Sequence, residues 1–205
     1  MRIVLSQEGW VFDGLTGLEW LFLQRLPALV DELSADEGAC LRLYPDPIRE
    51  NEKEAREGTG TDGDDERIVD DWKKYVRPEL VTLFDEARQI VAKDLEKAQQ
   101  FEDEGGEADS GDRMFYSLEV SGEHVEQWSS TLNQARLLMN EAYALADSER
   151  RLAEGVMDLP EDPEEGEDKE ARSRQAKAYP KWLLLAQYGF YGAIQSFLID
   201  TLMDV

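Results

Sequence analysis

Five residues carry the polar chemistry that spacing recommends: Tyr44, Asp46, Trp128, Asn133 and Arg136. Asn133 and Arg136 stand three apart, so on a helix they share one face. They lie beside an apolar stripe of Trp128, Leu132 and Ala135. An amide and a guanidinium sunk beside a core need hydrogen-bonding partners. Asp46 and the carbonyls around Leu43, Tyr44 and Pro45 have the chemistry to supply them. The expected arrangement is a structural clamp that docks the 43–46 segment on the helix, since buried polar groups mostly serve hydrogen-bond satisfaction. The functional alternative is a pocket near Arg136, used by a small-ligand-binding protein or an uncharacterised enzyme.

The other reactive side chains point to no reaction. His124 is the sole histidine and Cys40 the sole cysteine. Those counts exclude a Cys/His metal cluster within one chain and an internal disulfide. A Ser-His-Asp triad would have to use His124, and no G-x-S-x-G elbow accompanies it. A surface or helix-cap role is therefore expected for His124. Glu37 and Arg42 beside Cys40 give a thiolate no clear stabilisation, so Cys40 reads as a small buried hydrophobe. Asp62-Gly63-Asp64-Asp65-Glu66 looks like half of a calcium loop, without its sixth-position glycine and twelfth-position glutamate. No catalytic residue, metal or cofactor is assigned.

Charge narrows the partners. The chain has 46 acidic and 22 basic residues and a net charge of −24. Residues 50–66, 101–113 and 158–170 carry −6, −5 and −7, which is −18 of that total. Acidity is thus concentrated in Gly-containing stretches that read as solvated loops at about 50–63, 101–113 and 156–172. Such a chain repels phosphate backbones, which argues against nucleic acid as a partner. It suits a protein partner with a basic surface. Self-association through surplus apolar helix surface stands as an open alternative.

The elements that must position these residues are mostly helices. With 205 residues the chain is long enough for one domain with a sizeable core. Its most apolar stretch, Tyr179 to Val205, reads as a helix apolar nearly all round, hence buried. Gln187, Gln195, Ser196 and Asp200 interrupt it too often for a membrane span. Met1 to Leu5 is too short for a signal-peptide core, and a cytoplasmic location is expected. Residues 2–6 and 10–13 read as a hairpin, with 115–120 as a third strand. Thr16 and Glu19 match a capping box, which opens a helix over 16–34 that Pro27 should kink or split. Residues 34–38 read as a break, followed by a Pro-fixed segment from Leu41 to Pro47 with Leu43 and Tyr44 anchored on the core. Helix resumes near Asp64, with Ile68, Val69, Trp72 and Val76 on one face. It bends at Pro78 and runs on through Leu80, Leu83, Phe84, Val91, Asp94, Leu95 and Ala98. Ser121 caps a last long helix that continues to about residue 153. The fold class is mainly α: a helical bundle around the C-terminal helix, with a small antiparallel sheet.

Two stretches resemble a bacterial family, the domain-of-unknown-function-2017 family. Leu41-Arg42-Leu43-Tyr44-Pro45-Asp46 is similar to its R-L-F-P-x-A-Y segment. Trp128, Leu132-Asn133 and Arg136-Leu137 are similar to its W-x-x-x-L-N-x-x-R-L helix. The order of elements agrees, while Pro47 stands where the family tends to have an aromatic. The family is best known from actinobacteria and often lies beside the ClpS adaptor of the Clp protease. The resemblance therefore implies a non-enzymatic regulatory or adaptor-like role, linked to proteolysis or stress control. It supplies no catalytic residues.

Overall fold

The computed structural model describes residues 1–6, 8–45, 47, 62–102, 114–154 and 180–203. Asp46 and most of the three acidic stretches lie outside these. The fold is mainly α with a small antiparallel sheet. Strands β1 (Arg2–Leu5), β2 (Gly9–Thr16), β3 (Gln99–Glu102) and β4 (Met114–Ser121) are ordered β1-β2-β4-β3. The third strand lies beside the hairpin as expected, with Phe12 opposite Leu118 and Leu15 opposite Tyr116. One extra residue in β2 makes a bulge there, where Gly14 takes φ +68°. Gly9 is required by contact as well as by conformation. At φ +157°, a Cβ on it would sit 2.0 Å from the Val120 carbonyl oxygen.

β3 is absent from the sequence reading. The helix ahead of it stops at Leu95 rather than running to Ala98. Gln99 to Glu102 then pair with β4 as an exposed edge. All four of its residues are exposed, so its side chains carry no alternating pattern.

Helix α1 (Gly17–Ser34) opens on the expected capping box: Thr16 Oγ1 accepts from the Glu19 N–H, and Glu19 Oε2 accepts from the Thr16 N–H at 2.8 Å. Pro27 does not split it. Residues 34–43 differ from expectation. Asp36 accepts from the Ala39 N–H at 3.0 Å and caps a helix α2 (Glu37–Leu43), so Leu41, Arg42 and Leu43 of the Pro-fixed segment are helical. Pro45 follows directly, and Leu43 and Tyr44 are buried as anchors.

Helix α3 (Asp62–Asp71), a π-helical turn (Trp72–Val76) and helix α4 (Arg77–Leu95) form one continuous arm. The π turn is the local answer to Pro78, which has no N–H to give and crowds the preceding turn. The Arg77 N–H reaches back to the Trp72 carbonyl instead. A 3-10 turn (Gly122–His124), capped by Ser121, leads into α5 (Val125–Tyr143). The long helix expected to 153 breaks at Ala144, which sits in the left-handed region at φ 51°. Asn140 stabilises the break by accepting from the Ala144 N–H through its carbonyl and the Ala146 N–H through its side chain, both at 2.8 Å. Helix α6 (Leu145–Ala153) follows, and α7 (Lys181–Met203) ends the described chain.

The core lies between the sheet and the helices. α5 touches α1, α2, α4, α6 and α7 and buries Trp128, Leu132, Ala135, Leu138 and Met139 completely. Phe12 packs on Trp128 with ring centroids 5.6 Å apart. Burying each such side chain is worth about 1.5–3 kcal/mol. α7 packs against α5 through Leu184, Tyr188, Tyr191, Ile194 and Leu198, while Trp182 and Ile199 remain in solvent. The Tyr191 hydroxyl donates to the Phe22 carbonyl at 2.6 Å and accepts from Gln187 at 2.7 Å. Burial pushes that phenol far above its ordinary pKa, so the group is a permanent donor.

Candidate functional site

The residues singled out by spacing do not converge. Trp128 and Arg136 are both on α5, but Arg136 turns toward the C-terminal helix. Its Nη1 donates to Gln195 Oε1 at 3.0 Å and its Nη2 to Glu149 Oε2 at 3.4 Å. Its guanidinium carbon stands 4.8 Å from the centroid of the Tyr188 ring. Gly192 makes room for it: a Cβ there would lie 3.2 Å from that carbon. Asn133 is exposed rather than sunk beside the core. Asp46, the acceptor expected for Arg136, lies outside the described residues, while Arg136 itself bonds to α6 and α7. The reason is helical phase: Arg136 follows the stripe by one residue and so leans to its far side.

Tyr44 meets a different set. Its ring packs on Phe84 at 5.6 Å and lies 6.0 Å from the Arg77 guanidinium carbon. Burial raises its phenol, against the lowering pull of Arg88. The polar node in this region is Arg88 with Gln134, neither of which is among the five residues that spacing recommends. Arg88 Nη1 donates to Gln134 Oε1 at 2.8 Å, and Nη2 pairs with Asp85 at 2.9 Å. Its Nε lies 2.9 Å from Asp31 Oδ1. Gln134 is buried, and it is the neighbour of the Asn133 that spacing favoured.

Among the described residues the most buried charged group is Asp94, with no exposed surface. Its carboxylate accepts from three donors on two elements. Lys97 Nζ lies 2.7 Å from Oδ1, with His124 Nδ1 at 2.8 Å and Trp128 Nε1 at 3.0 Å from Oδ2. Burial alone would raise this carboxyl. The bonds from Lys97, Trp128 and His124, with the charge of His124, outweigh it and hold the pKa below the usual carboxylate value. A signal for Asp94 was present, since it occupies an apolar-stripe position between Val91 and Leu95. His124 stands at the N-cap position of α5 but makes no cap bond; it serves Asp94 instead.

A carboxylate bonded to an imidazole Nδ1 is the arrangement that orients a general base. Among the described residues no hydroxyl or thiol is hydrogen-bonded to the His124 ring, so its geometry joins α4 to α5 and aligns no nucleophile. Cys40 is half-buried rather than buried, with Sγ 3.9 Å from Arg77 Nη2. Among the described residues no three His, Cys, Asp or Glu side chains are grouped to hold a metal ion. Gly58, Gly60 and Gly63 have the G-x-G-x-x-G spacing of a dinucleotide loop. They sit in a stretch of net charge −6 that would repel a pyrophosphate. Residues 58–61 lie outside the described part.

The arm formed by α3, the π turn and the first half of α4 has another character. Val69, Trp72, Leu80 and Phe84 turn inward and are half-buried. Ile68 and Val76, expected on the buried face, are exposed, as are Tyr75, Val81 and Leu83. Most of the arm's contacts with other elements are made by α4, on α5 and α1, while α3 and the π turn run on from it as one helix. Periodicity could not show this, because it gives the phase of a helix and not the reach of what covers it. No described helix is long and apolar enough to cross a membrane.

A family model described as "Domain of unknown function (DUF2017)" matches residues 6–202. Neither curated proteins nor solved structures gave a match.

Proposed function

The chain belongs to the DUF2017 family, and we propose that it is a non-enzymatic, intracellular protein-interaction module of a regulatory or adaptor-like kind. The observation that supports this is the set of large apolar side chains kept in water along the α3–α4 arm, where Tyr75 is 56 % and Leu83 59 % exposed and Ile68, Val76 and Val81 are exposed as well. Large apolar side chains kept in water along one element mark a surface for association. Covering one such side chain fully is worth about 1.5–3 kcal/mol. The net charge of −24 selects a basic partner and speeds its approach. The small-ligand or enzyme alternative near Arg136 draws less support, because Gln195, Glu149, Tyr188 and Gly192 crowd the guanidinium.

Affinity capture of the tagged full chain from its own lysate tests the reading, with Leu83→Asp and Tyr75→Asp run beside the natural sequence. The expected result is one stoichiometric protein that survives moderate salt and is lost with Leu83→Asp. Retention of only salt-labile basic proteins, held equally by the variants, overturns it, since screening removes nonspecific attraction to acids.

A further inference from the structure

On the exposed side of α4, Pro78, Glu79, Thr82, Leu83 and Glu86 line an open groove of about 350 Å³. Glu79, Leu83 and Glu86 are spaced by four and three, so they share one helix face. The two carboxylates stand seven residues apart, roughly 10 Å along the axis at 1.5 Å per residue. Asp85, next to Glu86, is engaged by Arg88 and Gln89. Among the described residues, Glu79 and Glu86 have no hydrogen bond or ion pair from a side chain. Leu83 therefore stands up from this open helix face as an apolar side chain between two free negative charges.

We infer that this groove docks an amphipathic helix of a partner protein, with an apolar side chain set between two Lys or Arg residues seven positions apart. The inference rests on the interaction reading above and gives its partner a chemistry. Helix faces pack by seating the ridge of one in the groove of the other, and basic side chains at that spacing meet both glutamates while their stems cover Leu83. The sign of the charge also sorts the occupants. The chain's own acidic stretches, at −6, −5 and −7, are repelled by Glu79 and Glu86. The in-chain competitor is the basic run of Arg172, Arg174 and Lys177.

The test places the photo-crosslinking residue p-benzoylphenylalanine at position 82 of the full chain, in the groove and on the surface. The cross-linked peptide is then sequenced after irradiation in cells. The expected peptide comes from another protein and carries two basic residues seven apart around an apolar one. Its yield should fall at least tenfold with Glu79→Lys/Glu86→Lys and with Leu83→Asp. A peptide without those basic residues, one from a second copy of this chain, or one from the 172–177 run overturns the inference. So does an undiminished yield from the charge-reversed chain. If Leu83→Asp loses its partner while Glu79→Lys/Glu86→Lys keeps it, the interaction reading stands and the paired-charge inference falls. If no partner depends on Leu83, both fall. The substituted side chains are exposed, so an unchanged melting temperature will show that the variants are folded.

Discussion

Helix α5 meets its neighbours through polar groups at both ends, and the two ends are built differently. At the first turn His124 and Trp128 serve Asp94 of α4, a carboxylate with no exposed surface and three donors. Further along, Arg136 serves α6 and α7 while 27 % exposed. Its Nε is buried without a hydrogen-bond partner, and its contact with Glu149 is long at 3.4 Å. The difference teaches that the number of polar contacts does not measure their hold. A buried carboxylate with every donor in place fixes two helices, whereas a guanidinium at the rim shares its bonds with water.

Asp94→Ala breaks the tighter end and should have the largest effect. It leaves Trp128 Nε1 buried without an acceptor, at a cost of about 3 kcal/mol. Thermal unfolding checks it; a melting temperature within a degree of the natural chain would erase the contrast between the two ends. Trp128→Phe keeps a ring against Phe12 but removes one donor, and should cost about 1–2 kcal/mol in denaturant unfolding. Arg136→Ala probes the looser end and should cost about 1 kcal/mol; an unchanged stability would show that Arg136 holds nothing. Gly192→Ala sharpens the same point, since Arg136 must yield to a Cβ at 3.2 Å. A loss below about 0.5 kcal/mol is expected if the guanidinium shifts freely into solvent.

Acid gives an independent reading. The Asp94 carboxyl has its pKa lowered from 3.8 in the folded chain. Its contribution is therefore fully present above the unfolded value and is lost as pH falls through the lower folded one. Asp94→Asn, which cannot titrate, should flatten the decline of stability below about pH 4 relative to the natural chain. Parallel declines in the two proteins would show that other carboxylates account for all of it.

What could be read from the chain followed the range of the forces involved. The α1 start was legible because Thr16 and Glu19 settle it between themselves, and β4 was legible because its residues alternate. α2 was missed although Asp36 has the chemistry of a cap, because seven residues between a Gly-containing break and two prolines are too few to show a helical period. The break at Ala144 left no trace in residue type, since alanine favours helix and the Asn140 side chain decides the matter. At the polar nodes, charge placement was informative where it violated the apolar stripe, as at Asp94. It misled where two residues merely sat beside the stripe, as Asn133 and Arg136 do. Exposure along the α3–α4 arm was not legible at all, since it depends on which elements fail to reach it.

The bond from the Tyr191 hydroxyl to the Phe22 carbonyl ties together residues 169 apart in sequence. Closing so long a span costs chain entropy that local helices do not pay, though each doubling of the span adds only about 0.6 kcal/mol. The order of assembly follows from this. α1 with its own cap and the β1–β2 hairpin draw on near neighbours, while the docking of α7 on α1 needs the full span closed. Until then the apolar side chains of Tyr188, Tyr191, Ile194 and Leu198 and the surface they cover are both open to water, which makes docking of the last helix the step at which a folding chain is most exposed to aggregation.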